Sequence, residues 1–105
     1  MPDVVYQPVD GLRVTLTEQR WLMHILPRHP EVTEADVAQA LTTAVCVYQH
    51  RMEPLRRVYQ GDPRPTGFFR GHFPLVVVTV TGEDTGTVVT AYLTTLPYRG
   101  VQRWP

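Results

Sequence analysis

Val37-Ala38-Gln39-Ala40-Leu41-Thr42-Thr43-Ala44-Val45-Cys46-Val47-Tyr48 is where the periodicity of the chain changes. Up to Ala44 the apolar residues Val37, Ala40, Leu41 and Ala44 recur at i, i+3, i+4 and i+7, the spacing of one helix face. From Val45 to Arg51 the chain is rich in β-branched and aromatic residues, which favours extended chain. The switch predicts helices before Ala44 and an antiparallel sheet after it. Thr33 is a natural N-cap with Asp36 three residues on, so one helix is expected from Glu34 to about Thr43.

Upstream lies Trp21-Leu22-Met23-His24-Ile25-Leu26-Pro27-Arg28-His29-Pro30-Glu31-Val32. Leu22, Ile25 and Leu26 form an apolar stripe with Trp21 beside them. Arg20, His24 and Arg28 stand at i, i+4 and i+8, on a different side of the same helix. Thr17 is a plausible cap and Glu18 suits a first turn, so this helix is expected to run to about Leu26. Pro27 should end or kink it, leaving Arg28 and His29 at its C-terminal edge. No carboxylate lies between Glu18 and Glu31, so the segment gathers imidazole and guanidinium groups alone. Before it, Val4–Tyr6 and Leu12–Leu16 read as two short extended pieces around the turn-like Asp10-Gly11.

Downstream, Leu55–Gln60 carries Arg57-Val58-Tyr59, and Gly61–Gly67 is a loop. Leu75–Thr81 is the strongest strand, Gly82–Gly86 a hairpin loop, and Thr87–Thr94 the returning strand. Strict alternation would put Val89, Ala91 and Leu93 on one face and Val88, Thr90, Tyr92 and Thr94 on the other. Pro97–Pro105 reads as a tail pinned by Trp104. The expectation is therefore a single α+β domain over residues 1–105, two N-terminal helices packed on a four-stranded antiparallel sheet. Its core should hold Leu22, Ile25, Leu26, Val37, Leu41, Val78, Val89 and Ala91.

Ten cations balance ten anions, which argues against a strongly basic, non-specific nucleic-acid binder. Every cation is arginine, the side chain that forks onto phosphate and stacks on bases. Arg20, Arg28, Arg51, Arg56, Arg57 and Arg70 are expected to form a positive surface. Cys46 is the single cysteine, without a partner for a disulfide, and reads as a small buried hydrophobe. The histidine spacings are not those of a metal site, so neither metal nor other cofactor is expected. No apolar run approaches a membrane span and the start lacks a signal pattern, so a cytoplasmic setting without membrane contact is expected.

His24-Ile25 followed by Arg28-His29-Pro30-Glu31-Val32, a helix, and strands ending in Val88-Val89-Thr90-Ala91-Tyr92 resembles the phage- and toxin-associated branch of the barnase–EndoU–colicin–RelE (BECR) nucleases. Gly100 and Trp104 are similar too, so the likeness runs from about Trp21 to Trp104. The resemblance implies a metal-independent endoribonuclease, the toxin of a pair, with RNA as substrate and a cognate antitoxin or immunity protein as partner. Position by position it points to His24, Arg28 and His29, to Arg57 and Tyr59, and to Thr90 and Tyr92. Such chemistry needs a base for the 2′-hydroxyl, an acid for the departing 5′-oxygen and cations for the phosphorane. Histidine can do either proton job, and arginine supplies the clamp. Tyr59 or Tyr92 could stack on a base, and Thr90 could bond a phosphate oxygen. His50 and His72 are read as structural or solvent-facing. The alternative is a non-catalytic module of the same fold that binds a protein or nucleic acid.

Overall fold

The computed structural model describes residues 2–105. Its centre is a seven-stranded sheet in the order β1-β2-β6-β5-β4-β3-β7. The strands are β1 (Val4–Tyr6), β2 (Arg13–Leu16), β3 (Cys46–Gln49), β4 (Arg56–Gln60), β5 (Phe73–Val80), β6 (Thr85–Thr94) and β7 (Gln102–Trp104). All neighbours are antiparallel except β2 and β6, which are parallel, so the sheet is mixed.

This corrects the expected four-stranded antiparallel sheet, and with it the architecture that the nuclease resemblance implied. The two extended pieces before the helices do not stand apart. Val14 and Leu16 on β2 are fully buried, which a short strand achieves only by joining a sheet. The tail is not merely pinned by Trp104. Gln102–Trp104 hydrogen-bonds along β3 and closes that edge. β2 meets β6 in parallel, beside the edge that the last hairpin leaves open.

One face of the sheet is covered by helix α3 (Glu34–Thr42) and by the helical segment 18–28. Here Ile25, Val37, Leu41, Val78 and Ala91 are fully buried, as expected, together with Val47, Tyr59 and Val76. Burying a side chain such as Ile25 stabilises the fold by about 1.5–3 kcal/mol. The other face carries a smaller cluster of Val58, Phe73, Leu75 and Val77, with Tyr48, Val89, Tyr92 and Tyr98 around it. The remaining expected core residues fall outside the main core. Leu22 is exposed, Leu26 is half-buried, and Val89 is half-buried against the second cluster. Trp21 and Ile25, one turn apart, are the inward residues, so the real stripe is centred one position earlier than the apolar pattern suggests.

Helix α3 begins with a reciprocal capping box. The Thr33 hydroxyl accepts from the Asp36 amide, and the Asp36 carboxylate accepts from the Thr33 amide. The same carboxylate takes Arg64 Nε at 3.2 Å, and Arg64 also reaches the Glu31 carbonyl, which ties the 61–72 loop to the helix start. Burial pushes the Asp36 carboxyl up, but the bonds from Arg64 and Thr33 outweigh it and hold the group below its ordinary value. A depressed carboxyl stabilises the fold above its unfolded value, about 3.9, and loses that contribution as pH falls through the folded value. Thermal melts from pH 6 downward should therefore show a loss of stability that begins near pH 4 and is shallower in Asp36→Asn. Equal slopes in the two proteins would remove this role from Asp36.

Candidate functional site

The segment after β2 positions the site. Strand β2 pairs with β6 only from Arg13–Thr85 to Thr15–Thr87. Thr17 then caps a helix by accepting from the Arg20 amide, and the chain turns away from the sheet. From Val88 onward β6 has no strand on that side, and the helical segment 18–28 packs there instead.

That segment is not a regular helix. Glu18–Arg20 (α1) leads into a π turn at Trp21–Ile25, followed by Leu26–Arg28 (α2). The Leu26 amide donates to the Trp21 carbonyl, five residues back. Pro27 supplies the reason. It has no N–H, and its ring clashes with the carbonyl four residues earlier in an α-helix, so the widened turn relieves both problems. The expected end at Leu26 is thus overtaken, and the helix reaches Arg28, with the His29 amide donating a hydrogen bond to the Ile25 carbonyl at 2.7 Å.

A second irregularity faces the first. The β5–β6 register runs Val77–Thr90 and then Val78–Val88, so Val89 is an extra residue, a β-bulge. Simple alternation across it fails. Val88 joins Ala91 and Leu93 on the helix-covered side, whereas Val89 packs with Tyr92 on the other. Beyond the bulge, Thr90 and Tyr92 share the less covered face with Val77 and Leu75, their register partners.

Between the π turn and the bulge lies a cleft of about 390 Å³, lined by Arg20, His24, Arg28, His29, Val89, Thr90 and Tyr92. Five of the seven residues singled out in the sequence therefore meet here. His29 is half-buried; its ring centroid is 5.7 Å from that of Tyr92, and its Nδ1 is 3.6 Å from a Glu31 carboxylate oxygen. His24 is exposed, and no hydrogen bond among the described residues fixes its ring. Burial raises the Tyr92 phenol above its ordinary value, with Tyr98 adding to the effect and Arg51 opposing it. Tyr92 therefore stays a neutral donor and stacking surface at physiological pH. Among the described residues neither Arg20 nor Arg28 has a carboxylate within ion-pair distance. The cleft thus presents two free guanidiniums and two imidazoles, the donor set of an anion site.

Arg57 and Tyr59 are elsewhere. They project from β4 beneath the helix-covered side, and both are committed to Asp10. Arg57 donates to Asp10 at 2.8 Å, and the Tyr59 hydroxyl lies 2.9 Å from both carboxylate oxygens. Tyr59 has no exposed surface, and burial, with the Asp10 charge second, drives its phenol far up. These two side chains hold the fold rather than line the cleft. Their place is taken by Arg20, whose i, i+4, i+8 relation to His24 and Arg28 was the available signal. The six arginines do not form one patch either: Arg20 and Arg28 meet at the cleft, Arg51 lines a neighbouring one, and Arg57 is on the far side.

The other candidate groups have local duties. His50 Nδ1 accepts from the Met52 and Glu53 amides, each at 3.1 Å. His72 is half-buried with its ring edge on Phe69. Cys46 is half-buried, while Val47 beside it takes the fully buried place. Among the described residues no three histidine, cysteine or carboxylate side chains converge in a way that could hold a metal ion, and no helix is long and apolar enough to cross a membrane. Set against protein-family models, curated proteins and solved structures, the chain matches none.

Proposed function

We propose that this chain is an endoribonuclease that cleaves RNA by attack of the substrate's own 2′-hydroxyl, with no metal required for the step. The observation that carries the reading is the convergence of His24, His29, Arg20 and Arg28 with Thr90 and Tyr92 in one cleft. Both backbone irregularities of the region border it, and π turns and bulges are devices that re-aim side chains at sites.

In this reading one imidazole takes the 2′-hydroxyl proton as that oxygen bonds to phosphorus. The other gives a proton to the 5′-oxygen as the P–O5′ bond breaks. Arg20 and Arg28 neutralise the added charge on the non-bridging oxygens, and the Thr90 hydroxyl donates to one of them. Tyr92 supports a base or sugar with its ring. The proposal includes a toxin role in the cytoplasm, held in check by a cognate antitoxin or immunity protein that covers the cleft. Expression without such a partner should then arrest growth of the host.

Purified protein incubated with RNA in excess chelator tests the chemistry. Products ending in a 2′,3′-cyclic phosphate are expected, because the attacking oxygen belongs to the RNA. Intact RNA, or products with a free 3′-hydroxyl, would overturn the reading. A second reading, an RNA-binding module without cleavage, is favoured by the exposed and unanchored His24 ring. It predicts RNA binding with no cyclic phosphate under any condition.

A further inference from the structure

The cleft does not end at Tyr92. On its other side the same tyrosine lines a second cleft of about 340 Å³, with Arg51, Leu75, Thr94, Tyr98 and Arg99 among its walls. The two hollows thus meet at Tyr92, and each is lined by two arginines. Among the described residues none of Arg20, Arg28, Arg51 and Arg99 has a carboxylate partner, whereas Arg57 and Arg64 are both paired. No carboxylate lines either cleft.

The second cleft has fixed walls. The Tyr98 hydroxyl accepts from the Arg51 amide at 2.8 Å. Its ring leans on Tyr48 at 5.7 Å and on His50 at 6.1 Å between centroids. The Gln49 amide holds the Val101 carbonyl at 2.7 Å. Gly100 allows that closure: a Cβ there would lie 2.5 Å from the Gln49 carbonyl oxygen and 2.7 Å from Tyr98 Cε2. Leu75 and Tyr92 complete a wall with apolar faces and cationic ends.

We infer that this second cleft is a subsite for the nucleotide flanking the cleaved phosphate in single-stranded RNA, with Tyr92 and Tyr98 as stacking surfaces and Arg51 and Arg99 on the next phosphate. The inference rests on the RNA-cleaving reading of the first cleft. Aromatic rings alternating with unpaired cations are what a single strand needs, since bases stack and phosphates neutralise. The groove runs along an open sheet face, which suits splayed bases better than the stacked interior of a duplex.

The test is a binding series on the full chain, using 2′-O-methyl oligouridylates of two and six nucleotides, which cannot be cleaved. The parent and an Arg51→Ala/Arg99→Ala double variant are compared by fluorescence anisotropy across a range of salt. Both side chains are exposed, and the Arg51 contact to Tyr98 uses its backbone, so the variant should fold. The parent should prefer the six-nucleotide strand, and that preference should fall about tenfold or more in the variant. Loss of two phosphate contacts should also lower the salt slope for the longer strand by about 1.4. An unchanged preference and slope would overturn the subsite while leaving the cleavage reading intact. No binding by the parent to either strand would overturn the cleavage reading itself. Equal binding of a six-base-pair duplex, or tighter binding of an acidic peptide, would overturn the single-stranded assignment.

Discussion

Alanine at His29 should slow RNA cleavage by about 10²–10⁴, the usual worth of one positioned proton-transfer group. His29 is the better placed of the two imidazoles. It is half-buried, its ring lies against Tyr92, and a carboxylate stands at ion-pair distance from Nδ1. His24 sits on the π turn and is free to rotate into the cleft. If both act, the parent rate should be bell-shaped in pH, because one ring must be neutral and the other protonated. Each alanine variant should then lose one limb of the bell, and the limb lost identifies base or acid. If only His29 acts, His24→Ala will keep the parent's profile. Both changes are at the cleft surface, so circular dichroism should show native folding. Two folded variants that cleave as fast as the parent would remove the histidines from the mechanism.

Much of this cleft was legible from spacing. Arg20, His24 and Arg28 are set by helical periodicity, and Thr90 and Tyr92 by strand alternation. What spacing could not supply was the relation between the helix and the last strand. That depends on β2 stopping at Leu16, so that the helix inherits the open flank of β6. The two irregularities were also invisible in a regular-period reading. Pro27 predicts an end or a kink, and the structure absorbs it in one π turn. Strict alternation places Val88 and Val89 on the wrong faces because a bulge resets the pattern there. Short strands escape a pattern reading for a related reason. β1, β2 and β7 are each too short to carry a period, and their membership of the sheet follows from pairing rather than pattern.

Arg57 and Tyr59 show the opposite case, functional-looking residues that serve the fold, and their partner Asp10 provides the largest expected stability effect. Asp10-Gly11 reads as a turn, and Gly11 does take a positive φ of 92°. The aspartate does more than turn the chain. Its carboxylate accepts from Arg57 and from the buried Tyr59 hydroxyl, residues more than forty positions away, and so fastens the β1–β2 connection to the middle of the sheet. Asp10→Ala would leave a phenol with no exposed surface and a largely covered guanidinium without an acceptor. Stranding such groups costs about 2–4 kcal/mol, more than a surface ion pair is worth. Asp10→Asn keeps an oxygen for the Tyr59 hydroxyl and loses only the charge facing Arg57, so it should fall between the parent and Asp10→Ala. Urea unfolding at neutral pH measures the order. Tyr59→Phe removes the buried hydroxyl, and in that background Asp10→Ala should cost less than in the parent, the excess being the coupling between the pair. Equal costs in the two backgrounds would mean that Asp10 and Tyr59 contribute independently, and that the carboxylate acts through Arg57 rather than through the buried hydroxyl.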